Sequence, residues 1–273
     1  MDSIVAFTNG KAEGYISVRD RGFNYGHGLF ETIRIVEGRA PLWQWHRDRL
    51  CRDAAVLGIE VDNDLLSRYF SQALAAASAE GVLKLLVTAG NGSGGYRSSR
   101  TEANYYFQCR ELPEKRGLLR LQVCDYRLPH NPVLAGIKHL NRLDQVMAGR
   151  ELNAQYDGLL LDADDRVVEA LSNNLFACFD GQWVSPELSL CGVKGVMREY
   201  LRTELFPSLG LSVKEAHFGL DKLAQAEAVF VCNAVRGVEA VQEILHCGEW
   251  SQPEAIEKVE YIRKHLASRV PGF

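Results

Sequence analysis

Three apolar runs follow one another between residues 82 and 126: VLKLLVTAG (82–90), NYYFQCR (104–110) and LLRLQVCDY (118–126). No helical periodicity lies between them, so the crossover helices that parallel strands need are missing and an antiparallel sheet is expected. Ahead of them, DSIVAFT (2–8) reads as a strand ended by the Asn9-Gly10 turn signal, and LFETIRIV (29–36) as a second strand ended by Glu37-Gly38. Over 44–57 the apolar spacing turns helical, with Trp45, Leu50, Ala54 and Leu57 in phase. Strong helix formers predict a second helix over 64–79. Residues 1–126 are therefore expected to form one α+β domain.

RLPHNPVLA (127–135) carries two prolines and reads as a short, ordered interdomain loop. A second α+β domain is expected over 136–273. Its features are an amphipathic helix from Leu140, strands at GLLLDAD and RVVEAL joined by Asp164-Asp165, and strands at NLFACF and QWVSP joined by Asp180-Gly181. A helix over 194–206, a strand at LSVKEAHF, a helix at DKLAQA, a strand at AEAVFVCNA and a terminal helix over 253–267 complete the pattern.

Composition narrows the function classes. Lys and Arg total 31 against 35 Asp and Glu, a formal net charge of -4, without the basic surplus of nucleic-acid binders. Hydrophobic residues make up 47% and charged residues 24%, which excludes a disordered or collagen-like chain. No two of the seven cysteines stand in C-x-x-C spacing and most lie in apolar runs, so buried reduced thiols are expected. The opening residues lack a basic-then-apolar leader pattern. No window approaches about 18 uncharged apolar residues. A soluble cytoplasmic protein without nucleic-acid or membrane partners is the expectation.

Most motif readings are weak. Gly90, Gly92 and Gly95 form a G-x-G-x-x-G behind a strand, but a dinucleotide site needs a helix directly after it. YRSSRTEANYYFQC reads instead as loop and then strand. A loop whose Arg97 contacts an anionic substrate fits, and so does a plain solvent loop. The seven histidines show no H-x-x-x-H spacing and no G-x-S-x-G occurs, so neither a metal site nor a serine hydrolase is expected. Lys138 lies in LAGIKHL. It could point to solvent, pair with a buried acid, or serve as a partly desolvated nucleophile that forms a Schiff base. Lys84 in VLKLLV has the same local pattern. Glu169 ends an apolar run, as a surface charge or as a partner for a ring-nitrogen cation. Arg49 is an exposed helix arginine or a phosphate anchor.

Six ordered blocks carry a resemblance. They are Tyr25-Gly26-x-Gly28-x-Phe30-Glu31-Thr32; His46-x-x-Arg49-Leu50; Gly136 to Leu143; Val168-Glu169 with Ser172 to Phe176; Gly192 to Arg198; and Cys232-Asn233-Ala234. Together they resemble the fold-type IV pyridoxal-phosphate enzymes, over roughly residues 1–245. That class holds branched-chain aminotransferases, D-amino-acid aminotransferases and 4-amino-4-deoxychorismate lyases. Within it, NPVLAGIKHLNRLDQVMA and the glycine loop GSGGYR are most similar to the lyase family.

The resemblance implies a two-lobe α+β fold and pyridoxal 5'-phosphate as cofactor. Lys138 would hold the cofactor covalently and act as the catalytic base, with Thr32 assisting. Glu169 would contact the ring nitrogen. Arg49, Val196, Met197, Asn233 and Ala234 would bind the phosphate. Met197 and Ala234 depart from the hydroxyl residues common in relatives, which leaves that work to backbone groups. Tyr25, Phe30, Arg97 and Arg142 would face the substrate, and a homodimer is implied. The implied reaction converts 4-amino-4-deoxychorismate to p-aminobenzoate and pyruvate in folate synthesis. A D-amino-acid or branched-chain aminotransferase shares every cofactor contact and stays open, distinguished by its need for a keto-acid acceptor. A cofactor-free binding protein of the same fold is the third reading, and the intact Lys138, Glu169 and Arg49 speak against it.

Overall fold

The structure is a computed structural model that describes residues 6–92, 94–97, 102–114 and 116–273. It divides into two units. The first runs to Pro113 and includes Lys138–Asn141; the second holds Glu114–Ile137 and Arg142–Phe273.

The first unit contains β1 (Ala6–Thr8), α1 (Arg21–Tyr25), β2 (Gly28–Ile35), α2 (Trp43–Val56), α3 (Asn63–Ala76), β3 (Gly81–Thr88) and β4 (Asn104–Arg110). The strands form an antiparallel sheet in the order β1-β4-β3-β2. Of the strand expected over 2–8, residues 2–5 lie outside the described residues. In β2 the two-residue period sorts the side chains by face: Leu29, Glu31, Ile33 and Ile35 are buried, while Phe30, Thr32 and Arg34 are half-buried. Trp43 of α2 stacks on Phe70 of α3 with ring centres 3.6 Å apart. The Asp62 carboxylate caps α3 by accepting from the Asp64 and Leu65 N–H groups.

The helix expected from Leu140 starts only at Leu143. The residues before it lie along the outer side of β2. The Phe30 N–H donates to the Lys138 carbonyl oxygen (3.1 Å), and the Leu140 N–H donates to that of Gly28 (2.9 Å). An unpaired strand backbone offers these bonds, and taking them holds residues 138–140 out of a helix.

The second unit contains β5 (Leu119–Leu128), α4 (Leu143–Gly149), β6 (Asp157–Asp162), β7 (Val167–Ala170), β8 (Asn174–Phe179), β9 (Gln182–Pro186), α5 (Val196–Tyr200), a π-helical turn (Leu201–Leu205), α6 (Phe206–Ser208), β10 (Val213–Ala216), α7 (Leu220–Leu223), β11 (Ala228–Asn233), β12 (Gly237–Ile244), β13 (Gly248–Glu249) and α8 (Pro253–Arg269). Strand order is β10-β9-β8-β11-β12-β5-β6-β7, with β13 beside β12, and β7 also pairs β8. Six strands therefore close on themselves through the pair Glu169–Asn174. Phe230 stacks on Phe176 at 4.7 Å inside this unit.

Two expectations need correction here. The sequence places the run 118–126 in the first domain, with a loop from residue 127; in the structure this run is β5. It runs on to Leu128 and pairs in parallel with β6 and β12, so it belongs to the second unit. An apolar run reads alike in either sheet; only its hydrogen-bond partners decide. β12 has no counterpart in the sequence pattern, and it pairs β11 over four residues. The expected helix over 194–206 opens at Val196 and contains the π-helical turn.

All seven cysteines are free thiols; Cys124, Cys178, Cys191 and Cys232 are buried and the other three half-buried. Burial, with nearby carboxylates, pushes Cys191 up to about 12 and Cys124 and Cys178 up to about 11. Such thiols stay protonated and unreactive at neutral pH. Among the described residues no helix is long and apolar enough to cross a membrane.

Candidate active site

Lys138 is placed by backbone bonds, and its side chain follows. Its N–H reaches the Asp53 Oδ2 at 3.5 Å. Its ammonium lies 4.4 Å from the centre of the Phe30 ring, which β2 presents on its half-buried face. That separation is a cation–π contact. Thr32 lies two residues on along the same face.

A polar cluster occupies the opposite face of β2. Glu31 is 1% exposed. Its Oε1 accepts from Arg49 Nε at 2.9 Å, and its Oε2 accepts from His46 Nδ1 at 2.6 Å and from Arg49 Nη2. Burial alone would raise this carboxyl, but Arg49 and His46 outweigh it and hold it at about 2. Burial lowers the His46 imidazole and prevails over the attraction of Glu31. A neutral His46 must keep its proton on Nδ1 to donate to the carboxylate. Its Nε2 is then a buried acceptor that no hydrogen bond reaches among the described residues. Arg49 is thus no exposed helix arginine: α2 points it inward onto Glu31, with 6% of it accessible.

Tyr25 ends α1, a short helix that the sequence reading missed together with the network around it. Asp20 is fully buried and caps α1, its Oδ1 accepting from the Gly22 and Phe23 N–H groups. Its Oδ2 accepts from Thr88 Oγ1 (2.7 Å), Asn104 Nδ2 (2.9 Å) and Tyr106 Oη (2.7 Å). Arg21 donates to the carbonyl oxygens of Gly95 (3.0 Å) and Tyr96 (3.2 Å), and the Gly95 N–H donates to Tyr25 Oη (2.8 Å). The glycine loop is therefore tied to the helix that carries Tyr25. It lies between β3 and β4, and among the described residues no helix follows it, whereas a dinucleotide site would require one directly behind the glycines. Arg97 follows it and is exposed. An Asp ahead of a short run is an N-cap signal, and the sequence Asp20-Arg21-Gly22 offered it.

In the second unit, the candidate residues gather at one end of the closed strands. Glu169 is 5% exposed, on β7, and its Oε2 accepts from the Val193 N–H at 2.9 Å. It is not the strand-end surface charge that its position allows. Arg142 lies in electrostatic reach of Glu169; burial lowers the guanidinium and Glu169 raises it. Asn174, paired with Glu169 in the ladder, donates to the Val193 carbonyl oxygen (2.8 Å) and accepts from the Gly195 N–H (3.1 Å). Its amide fixes the turn that opens α5 at Val196. Gly192 makes the approach possible: its φ is +81°, and a β-carbon there would sit 2.7 Å from Val168 Cγ1.

Among the described residues no side chain caps α5, so the N–H groups of Val196 and Met197 open the helix without a capping acceptor, the arrangement that suits an anion. Met197 is wholly buried in the core, so its side chain does not line a ligand. Asn233 ends β11; its Oδ1 accepts from the Val235 and Arg236 N–H groups and shapes the turn holding Ala234.

Residues 28–244 match the amino-transferase class IV family, and the chain belongs to that family. Within it, the chain is 33% identical to the aminodeoxychorismate lyase of Vibrio harveyi, over 97% of this chain and 98% of that one. The crystal structure of 4-amino-4-deoxychorismate lyase from Pseudomonas aeruginosa superposes with a TM-score of 0.89 at 34% identity, over 96% and 98% of the two chains. A putative branched-chain-amino-acid aminotransferase of Methanocaldococcus jannaschii is 27% identical over 87% of each chain.

Proposed function

We propose that this chain is an aminodeoxychorismate lyase that uses pyridoxal 5'-phosphate to convert 4-amino-4-deoxychorismate to p-aminobenzoate and pyruvate. The observation that carries the reading is Lys138, held by backbone bonds with its amine against Phe30, within the residues 28–244 that match the family and in a chain 33% identical to a lyase relative. An aminotransferase shares the cofactor residues, but the aminotransferase relative is less similar.

The residues fit the cofactor. Glu169 is a buried carboxylate able to hold a protonated ring nitrogen, and Val196 and Met197 offer uncapped N–H groups to a phosphate. Lys138 would carry the covalent link, and Arg49, Asn233 and Ala234 would join Val196 and Met197 at the phosphate. Bound pyridoxal 5'-phosphate supplies an electron sink at the carbon bearing the substrate nitrogen.

The chain's own residues move the protons. The Lys138 amine removes the hydrogen from the carbon that bears nitrogen, as general base. The bond from the neighbouring ring carbon to the enolpyruvyl oxygen breaks, and the ring becomes aromatic. Lys138, with the Thr32 hydroxyl on the same side of β2, returns that proton to the departing enolpyruvate, giving pyruvate. Tyr25 and Phe30 line the substrate, and Arg97 and Arg142 supply positive charge for its carboxylates. The chain is further read as a cytoplasmic homodimer serving folate synthesis; sedimentation of the loaded enzyme checks the dimer.

The test gives aminodeoxychorismate to cofactor-loaded protein without any keto acid. Equal amounts of p-aminobenzoate and pyruvate are expected, with turnover abolished in Lys138→Ala. Amino transfer from D-alanine or leucine to a keto acid, with no p-aminobenzoate, would replace the lyase by an aminotransferase. Borohydride reduction and peptide mapping should place the cofactor on Lys138 independently of turnover.

A further inference from the structure

We propose that the Lys84 ammonium binds a carboxylate of the substrate; this rests on the lyase reading. Lys84 lies on β3 directly opposite Thr32 on β2, and directly opposite residues of an antiparallel pair share a face. Its ammonium stands 5.3 Å from the centre of the Phe30 ring, the ring that carries the Lys138 ammonium at 4.4 Å. Two cations thus meet one ring, and their nitrogens are no further apart than the sum of those distances.

No carboxylate pairs with Lys84 among the described residues. Burial, then the charge of Arg110, lowers its pKa. Arg34 and Arg110 flank it on the same face, each opposite Val82. A half-buried cation without a counter-ion is costly unless an anion arrives. The proposed substrate brings two carboxylates and reacts at Lys138. Lys84 is the cation that shares Phe30 with the reacting amine, and its neighbour across the ladder is the proposed proton donor Thr32. The plainer account has the lysine stem packing on Phe30 with its amine merely hydrated.

Lys84→Met keeps the stem and removes the charge. The expected result is a KM for aminodeoxychorismate raised about 10- to 100-fold, as for loss of a charge-assisted hydrogen bond. The change in kcat should stay within about threefold, cofactor loading and the borohydride label on Lys138 should be normal, and Lys84→Arg should recover most of the loss. Inhibition by p-aminobenzoate assigns the contact. If weakened in parallel, Lys84 holds the ring carboxylate; if unchanged, it holds the enolpyruvyl carboxylate, which p-aminobenzoate lacks. An unchanged KM in a normally loaded Lys84→Met enzyme overturns the inference, and so does loss of loading, which would mark a structural lysine. Wild-type enzyme that makes no p-aminobenzoate would overturn the lyase reading and this inference with it.

Discussion

At the scale of single residues, the buried ion cluster on the far face of β2 makes the sharpest demands. Glu31 sits at about 2 in the fold against an ordinary value of 4.5. A depressed carboxyl contributes stability that is present above 4.5 and is lost as pH falls from there toward 2. The contribution is on the order of 3 kcal/mol. Glu31→Gln should therefore lower the unfolding free energy obtained from urea denaturation at pH 7 by about 3–5 kcal/mol, because the buried ion pair with Arg49 is broken. Between pH 5 and about pH 3, the wild type should lose stability that the variant no longer has to lose; parallel curves would show that Glu31 is not held ionised. Glu169→Gln is a different experiment: on the proposed role of Glu169, cofactor should stay bound while turnover slows, because the ring nitrogen would lose its carboxylate. An unchanged rate removes Glu169 from that role. Lys138, Arg49 and Glu169, as proposed site residues, stand out in the sequence because their family blocks are contiguous. Asp20, Arg21 and Asp53 could not, since each acts through partners far along the chain, such as Thr88 and Tyr106 for Asp20.

Among elements, the turn before α5 shows how a backbone can be aimed by one amide. Asn174 grips both Val193 and Gly195, and a β-carbon at Gly195 would fall on the Asn174 side-chain oxygen. Gly195→Ala should cost roughly 1–3 kcal/mol and displace the N–H groups of Val196 and Met197. Titration with pyridoxal 5'-phosphate, followed by absorbance, should then show affinity weakened by about tenfold or more. Gly117→Ala, where a β-carbon meets nothing within 4 Å, serves as the neutral comparison. Equal affinity in the two variants would detach the turn from phosphate binding. Strands with clear alternation or continuous apolar runs, β2 and β8 among them, were legible in the sequence to within a residue or two. The helix expected from Leu140 was not, because its first residues were captured by β2. β12 was passed over because Glu239, Gln242 and Glu243 dilute its apolar signal. α1 is a single turn whose helical state depends on the Asp20 cap.

For the molecule as a whole, the closed strands of the second unit and the open sheet of the first predict different local stabilities. A strand at the edge of its sheet, pairing one neighbour among the described residues as β1 does, opens more readily than β11, which is paired and buried on both sides. Hydrogen exchange of the intact enzyme should find the slowest amides in β8 and β11 and much faster ones in β1. The reverse order would contradict this reading of the two sheets. The placement of β5 carries the general lesson about legibility. Composition, length and loop chemistry located a division of the chain near residue 130, yet pairing partners moved it to Glu114 and returned Lys138–Asn141 to the first unit. Long-range hydrogen bonds set such boundaries, and they leave no local trace in a run of apolar residues.

Those four returned residues bear on any attempt to dissect the protein. The first unit cannot be excised as one continuous stretch of gene. Residues 1–113 alone would lack Lys138 and would leave the backbone of Gly28 and Phe30 without the partners that Lys138 and Leu140 provide. An exposed strand of this kind recruits other chains. Such a fragment should aggregate, and a synthetic peptide spanning 136–142 should restore its solubility by occupying the vacant side of β2.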